Sequence, residues 1–141
     1  MKHIHLIYIL FIGIFLASCS SDDGNTDTTA PKITIVEPHE DEIFDAGTIM
    51  HVEIIFSDNV ELASYKIDIH HAGDGHGHGR GGETEWDYET EGSLFGKNYT
   101  LHLEIAIPED AEEGEYHFGV FALDTSGNET VVWSEIIIES H

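Results

Sequence analysis

The chain has very little cysteine and very little positive charge. Cys19 is its only cysteine among 141 residues, so an intrachain disulfide is excluded. Only five residues are lysine or arginine, against 28 aspartates and glutamates, and the formal net charge is −23. Nucleic-acid binding is therefore excluded, because contact with phosphates requires a basic surface. Most of the carboxylates are expected to form a solvated acidic surface that keeps the protein soluble. The negative electrostatic field of such a surface also attracts cations.

Long hydrophobic runs are missing as well. The apolar run Ile4–Leu16, interrupted only by His5 and Gly13, is shorter than the about 20 residues that span a bilayer as a helix. It follows the basic residue Lys2 and has the length of the apolar core of an export signal. We therefore predict a signal peptide over residues 1–18.

The apolar run ends in Leu16-Ala17-Ser18-Cys19, which resembles the lipobox of bacterial lipoproteins. The resemblance implies cleavage before Cys19 and attachment of lipid, including palmitate, to its thiol and new amino terminus. An ordinary signal peptide followed by an unrelated cysteine is the alternative. Ser20 resembles the default signal for the outer membrane, and Ser21-Asp22-Asp23 resembles the acidic tag of surface-exposed lipoproteins in Bacteroidota. We expect an outer-membrane lipoprotein, with surface exposure favoured over the periplasmic face.

Residues 19–30 are then the lipidated amino terminus and a tether. Their small, polar composition is typical of a disordered linker. Asp27-Thr28-Thr29 resembles the short O-glycosylation acceptor of some Bacteroidota.

From residue 31 to residue 141, apolar and polar residues alternate with the period of a β-strand and turn residues separate the runs. No segment has a convincing helical pattern. The sequence predicts an all-β domain, an immunoglobulin-like antiparallel sandwich of about seven strands. The predicted strands are 32–37, 49–56, 63–70, 85–90, 98–107, 115–123 and 131–138, and residues 38–47 are predicted as a turn.

Several local motifs resemble known ones. Gly114-Glu115-Tyr116 resembles the tyrosine corner of immunoglobulin-like domains, and residues 124–128 resemble the turn before the last strand of bacterial immunoglobulin-like modules. Taken in order, the motifs resemble a family of Bacteroidota lipoproteins that carry a domain of unknown function. They are the lipobox, Pro38 before an acidic turn, residues 57–62, residues 65–70, the histidine- and glycine-rich residues 70–82, residues 98–100 and residues 115–128. This resemblance implies the fold and the location of the protein, and it implies no activity.

Histidine is concentrated in HHAGDGHGHGRGG, residues 70–82, which we call the His-Gly segment. In an extended chain His76 and His78 project to the same side about 7 Å apart, so both rings could reach one ion. The alternative is a flexible, solvated segment whose histidines are incidental.

The predicted topology adds two histidines to these. The third and sixth strands of such a sandwich are antiparallel neighbours, which places His70 beside His117 with both facing outward, whereas His71 faces away. The candidate metal ligands are therefore His70, His76, His78 and His117. His51 and His102 belong to the outer face of the other sheet, as a candidate second metal site or as ordinary exposed strand residues.

Imidazole with carboxylate neighbours suits zinc, copper or nickel, and zinc is our first choice. The lone thiol and the scarcity of methionine argue against a Cu(I) site. Calcium is less favoured, because no D-x-[DN]-x-[DN]-G pattern occurs. We expect no organic cofactor, and no catalysis, because no nucleophile elbow or phosphate-binding glycine loop is present.

Two hypotheses follow. In the first, the protein is a lipid-anchored cell-envelope protein that captures a divalent transition metal and delivers it, for example to an outer-membrane transporter. In the second, it is a non-catalytic adhesion or interaction module whose histidines are incidental. Trp86, Tyr88 and Phe95 would form the contact surface of such a module, although core packing is favoured for Trp86 and Tyr88.

Overall fold

The structure is a computed structural model, and it describes residues 26–73 and 84–140. Eight strands and no helix occur in these ranges. They are β1 (Lys32–Glu37), β2 (Glu42–Asp45), β3 (Ile49–Ser57), β4 (Leu62–His71), β5 (Tyr88–Ser93), β6 (Asn98–Ala106), β7 (Gly114–Asp124) and β8 (Glu129–Glu139). No helix of the described part is long and apolar enough to cross a bilayer. The predicted signal peptide, Cys19, His76 and His78 lie outside the described residues.

The strands form two sheets that pack face to face. The smaller sheet has the order β1-β3-β6, and the larger has the order β2-β8-β7-β4-β5. All neighbouring strands are antiparallel except β2 and β8, which are parallel. The predicted immunoglobulin-like sandwich is therefore confirmed, and so is the pairing of the strands that carry His70 and His117.

Alternate residues of the facing strands form the core, as their period-two pattern predicts. On β3, the side chains of Met50, Val52, Ile54 and Phe56 are all buried. On β7, those of Tyr116, Phe118, Val120 and Ala122 are buried as well. Each large apolar side chain removed from water contributes about 1.5–3 kcal/mol, so these two inward faces hold the sheets together. On β4 and β7, the residues that alternate with the buried ones lie on the outer surface of the larger sheet.

The prediction of a plain turn over residues 38–47 was wrong, because this stretch contains β2. Glu42–Asp45 pairs in parallel with residues 136–139 of β8. The strand is short and acidic at both ends, and Ile43 is 56% exposed while Phe44 is half-buried. The alternation of its own four residues does not indicate this pairing, because the partner strand lies at the far end of the chain. The fourth predicted strand, 85–90, corresponds to β5 and begins later than expected, at Tyr88 rather than at residue 85.

The tyrosine corner is present at the start of β7. The Tyr116 hydroxyl donates a hydrogen bond of 2.7 Å to the backbone oxygen of Glu112. Burial of the ring raises the pKa of the Tyr116 hydroxyl to about 12. The corner fixes the segment that enters β7, and it therefore helps to set the register that places His117.

Candidate metal centre

Three strands of the larger sheet place a row of possible metal ligands on its outer surface. In the register of β4, β7 and β8, His70 lies opposite His117, and His117 lies opposite Glu135. All three face away from the core, because Ile69, Phe118 and Ile136 next to them face inward and are buried. The row therefore follows from the alternation of three strands, with His117 in the middle.

The two histidine rings are neighbours, with centroids 5.4 Å apart and their planes at 66°. The Nδ1 atom of His70 lies 2.8 Å from Oδ1 of Asp68, and Nδ1 of His117 lies 3.8 Å from Oε1 of Glu135. A carboxylate at Nδ1 holds the proton there and leaves Nε2 as the ligand atom, which is the usual arrangement behind a metal-bound histidine. Asp68 thus prepares His70 to bind through Nε2.

An open depression of about 390 Å³ contains this row. It is lined by Glu40, His70, His117, Trp133, Ser134 and Glu135. The Ser134 hydroxyl donates a hydrogen bond of 2.7 Å to Oε2 of Glu40, which orients that carboxylate towards the site. The side chains of His70 and His117 are 40% and 38% exposed, so an ion could reach both from solvent.

The indole of Trp133 forms the apolar wall of the depression. Its ring centroid lies 5.6 Å from that of His70 and 6.2 Å from that of His117. Trp133 lies across Gly119, where an added Cβ would come within 2.4 Å of the indole. The glycine thus lets the tryptophan lie flat on the sheet and partly cover both histidines.

Carboxylates extend the row at its β8 end. Ligand oxygens of Glu40, Asp41 and Glu135 lie within 4.8 Å of one another. Glu135 therefore belongs both to this acidic group and to the surroundings of His117. Within residues 26–73 and 84–140, no such three-residue group includes a histidine, so the described side chains supply two imidazoles and flanking carboxylates but no closed set of ligands.

His76 and His78, the other two predicted ligands, lie outside the described residues. The chain from His70 to His76 is short, and an extended chain of six residues spans at most about 20 Å. The chain length therefore allows His76 to reach the row.

One basic side chain stands beside the histidines on the outer face of β4. Nζ of Lys66 lies 2.8 Å from Oε2 of Glu89 and 3.6 Å from Oδ2 of Asp68. The hydrogen bond with Glu89 raises the pKa of the Lys66 ammonium. Lys66 therefore stays charged, and it shares Asp68 with His70.

His71 turns away from the row, as predicted. Its ring packs edge-on against Tyr116, with centroids 5.0 Å apart. Its Nδ1 accepts a hydrogen bond of 2.9 Å from the backbone NH of Gly73, which leaves the proton on Nε2. His71 thus closes the end of β4 and is not available to an ion beside His70.

The structure places His51 and His102 on the outer face of the smaller sheet. His51 lies opposite Glu104, and His102 lies opposite Glu53, with nitrogen–oxygen distances of 3.7 and 4.0 Å. The two histidines are thus diagonal neighbours, and each faces a carboxylate rather than the other ring. They line one shallow depression with Glu37, far from the row on the opposite sheet.

The aromatic residues considered for a contact surface separate into two groups. Trp86 is only 8% exposed and packs in the core against Tyr116, with ring centroids 5.9 Å apart. Tyr88 is half-buried, and Phe95 is 68% exposed. Core packing of Trp86 leaves Phe95 alone among the three as a fully accessible ring.

Sequence reasoning missed Glu135, Glu40 and Trp133. The alternation of β8 puts Trp133 and Glu135 on the outer face, but only the register with β7 shows that Glu135 lies opposite His117. Glu40 precedes the short strand β2, whose existence was not predicted.

Solved structures with a similar fold are distant in sequence. A DUF4466 family protein from Parabacteroides merdae has a TM-score of 0.52 at 13% identity, covering 77% of this chain and 45% of that one. The sporulation control protein Spo0M from Bacillus subtilis has a TM-score of 0.51 at 10% identity, covering 80% and 51%. Fibronectin(III)-like modules of CbhA from Clostridium thermocellum have a TM-score of 0.48 at 14% identity, covering 78% and 47%.

This chain spans about half the length of those structures, and the likeness concerns the fold alone. None of the curated proteins matches the sequence. A family model described as a domain of unknown function, DUF4625, matches residues 17–139. The chain therefore belongs to the DUF4625 family.

Proposed function

We propose that this protein is a lipid-anchored protein of the bacterial cell envelope that binds a divalent transition metal, with zinc as the first choice and copper or nickel as alternatives. The observation that carries the proposal is the row of His70, His117 and Glu135 across three neighbouring strands. A row on paired strands is held by the backbone, so these ligands need little ordering before an ion binds.

The chemistry of the row fits zinc. Zinc binds imidazole nitrogen at about 2.0–2.1 Å and accepts carboxylate oxygen, usually with four ligands in total. The Nε2 atoms of His70 and His117 supply two ligands, and His76 and His78 of the His-Gly segment supply the other two. Glu135 and Glu40 line the same depression and add negative charge beside the ion.

The energetics favour an exchangeable site. Fixing about ten residues of the His-Gly segment costs on the order of 10 kcal/mol in backbone entropy, and structural zinc sites provide about 10–16 kcal/mol. The ordering cost thus offsets a large part of the binding free energy, so we propose an exchangeable site that holds and releases its ion. Such a site suits capture and delivery, for instance to an outer-membrane transporter.

The negative charge supports the binding of cations, and the leader supports a location at the cell envelope. The net charge of −23 raises the local concentration of cations around the depression. The lipobox at Cys19 and the acidic residues after it resemble those of Bacteroidota lipoproteins on the outer membrane. A lipid anchor would keep the metal site at the surface where ions arrive.

Calorimetric titration of the full-length chain with zinc tests the proposal. The double variant H70A/H117A removes the two strand ligands, and H76A/H78A removes the two segment ligands. The matched control H51A/H102A removes the same number of histidines from the other sheet.

We expect each test variant to bind zinc at least roughly tenfold more weakly, about 1.4 kcal/mol, and the control to bind like the unmodified chain. Equal affinity in H70A/H117A and the control would rule out the row as the site. A loss in H76A/H78A alone would move the site to the segment.

A further inference from the structure

A second group of carboxylates lies apart from the histidine row and joins three separate parts of the chain. Asp27 precedes β1, Asp58 lies in the turn between β3 and β4, and Asp124 ends β7. Ligand oxygens of all three lie within 4.8 Å of one another. Three chain segments thus bring their negative charges to one point at the edge of the domain.

The backbone around this point holds each carboxylate by one side. Oδ2 of Asp58 accepts hydrogen bonds of 2.7 and 2.8 Å from the NH groups of Val60 and Glu61. Oδ1 of Asp27 accepts hydrogen bonds from the NH of Thr29 and from Nδ2 of Asn59, at 3.0 and 2.9 Å. These contacts fix both side chains and use only one oxygen of each.

Asp124 is the most enclosed of the three, with 2% of its surface exposed. Its Oδ1 accepts 2.8 Å hydrogen bonds from the NH groups of Ser126 and Asn128, and its Oδ2 accepts one of 2.7 Å from Nδ2 of Asn128. These hydrogen bonds hold the side chain of Asp124 in one orientation.

Two oxygens of the group are buried without a partner. Oδ2 of Asp27 and Oδ1 of Asp58 are both inaccessible to solvent and accept no hydrogen bond from the described residues. None of the ion pairs found within 26–73 and 84–140 involves Asp27, Asp58 or Asp124. Buried, unpaired and mutually repelling carboxylate oxygens are strongly unfavourable unless a cation lies between them.

We propose that Asp27, Asp58 and Asp124 bind a calcium ion. Calcium takes six to eight oxygen ligands at about 2.3–2.6 Å, so two oxygens on the same ion lie at most about 5 Å apart. The separation of these oxygens meets that limit. The ligands are all oxygens, which calcium prefers and which distinguishes this site from the imidazole row that suits zinc. Water completes the coordination.

The ion would join the segment before β1 to the body of the domain. Asn59 and Asn128 already hold Asp27 through hydrogen bonds to its side chain and its backbone oxygen. A calcium ion bound to all three carboxylates would link Asp27 to the β3–β4 turn through Asp58 and to the end of β7 through Asp124. A bound ion would thereby fix Asp27, and with it the segment before β1, against the domain.

Thermal unfolding of the full-length chain in chelator and in calcium chloride tests this site. The variant Asp27→Asn removes one charge with hardly any change in shape. Because Asp27 lies before β1, the substitution changes no strand residue. Glu61→Gln is the matched control, since it removes an exposed charge from the turn that contains Asp58.

For the unmodified chain and for Glu61→Gln, we expect calcium at a hundredfold excess over its dissociation constant to raise Tm by about 10 °C. For Asp27→Asn we expect a much smaller rise in calcium and an unchanged or higher Tm in chelator, because one of three repelling charges is gone. A merely structural role of Asp27 would instead lower Tm equally in both solutions.

An equal rise in Tm for Asp27→Asn and the control would overturn the assignment, as would no rise in the unmodified chain. Magnesium at the same concentration should give a clearly smaller rise, because it keeps its waters and demands octahedral geometry; an equal rise would contradict calcium as the ion. The variant H70A/H117A should keep the full response to calcium, so this site and the zinc site can fail independently.

Discussion

His70 and His117 face each other across β4 and β7, and their ring centroids are 5.4 Å apart on the outer surface of the sandwich. Each ring has a carboxylate on its Nδ1 side, Asp68 for His70 and Glu135 for His117. Asp68 thus orients His70 before any ion arrives, and Glu135 places a negative charge beside His117. Half of the proposed zinc site is held on strands in this way, and we propose that the other half comes from His76 and His78 of the His-Gly segment.

Asp68 should act on zinc affinity without touching the ion. Replacing it with asparagine, Asp68→Asn, removes the charge at 2.8 Å from Nδ1 of His70 and frees the ring to rotate and change its tautomer. We expect zinc affinity to fall roughly 10- to 100-fold, the usual cost of losing such a partner. Calorimetric titration with zinc measures the change.

Glu89→Gln is the control for that variant. Asp68 and Glu89 both contact Nζ of Lys66, so both substitutions disturb this lysine, and only the first disturbs His70. If Glu89→Gln weakens zinc binding as much as Asp68→Asn does, the effect comes from Lys66 or from net charge, and Asp68 does not position the histidine.

Trp133 should report metal binding through its fluorescence. The indole lies 5.6 Å from the ring of His70 and is 49% exposed, whereas Trp86 is in the core. A bound Cu²⁺ ion quenches a nearby indole much more than a distant one. We expect Cu²⁺ to quench the variant Trp86→Phe, which keeps Trp133, and to leave Trp133→Phe largely unquenched. The reverse pattern would place the ion elsewhere.

Much of the fold and two of the three residues of the row, His70 and His117, could be predicted from the sequence. Residues 65–70 and 116–122 alternate so regularly that the inward faces of β4 and β7 were unambiguous. The immunoglobulin-like topology then made those strands neighbours, and His70 had to lie beside His117. Here a local pattern and a general rule of connectivity were together sufficient.

The parts that could not be predicted depend on distant pairings. Glu135 joins the row only through the register of β7 with β8, and four-residue β2 is stabilised by a parallel partner far along the chain. Asp58 and Asp124 each look like ordinary turn residues that accept backbone NH groups, and Asp27 looks like part of the tether. Only the packed structure shows that their oxygens converge.

The tyrosine corner predicts how the domain responds to alkaline pH. Burial raises the pKa of the Tyr116 hydroxyl from 10.0 to about 12, so the folded state favours the protonated form. The stability that depends on this group is fully present below pH 10, where tyrosine is protonated in both states. It is lost as pH rises towards 12, because the unfolded chain ionises first.

The variant Tyr116→Phe tests this response. At neutral pH it loses the hydrogen bond to Glu112, and we expect the free energy of unfolding in urea to fall by about 1 kcal/mol. Between pH 10 and 12 the unmodified chain should lose stability more steeply than the variant. Parallel slopes in this interval would show that Tyr116 is not the group responsible.

Cys19 should determine whether the protein is found in the membrane fraction. If the lipobox is processed as its resemblance implies, acyl chains on Cys19 supply the anchor, since each buried methylene contributes about 0.8 kcal/mol and stable attachment needs more than one chain. We expect the substitution Cys19→Ser to leave the protein uncleaved and without acyl chains. Metabolic labelling with palmitate and detergent phase partitioning measure the two effects.

The control Ser20→Ala changes the neighbouring residue, and this variant should still incorporate palmitate and still partition into the detergent phase. Equal labelling of Cys19→Ser and Ser20→Ala would mean that the lipid, if any, is attached elsewhere.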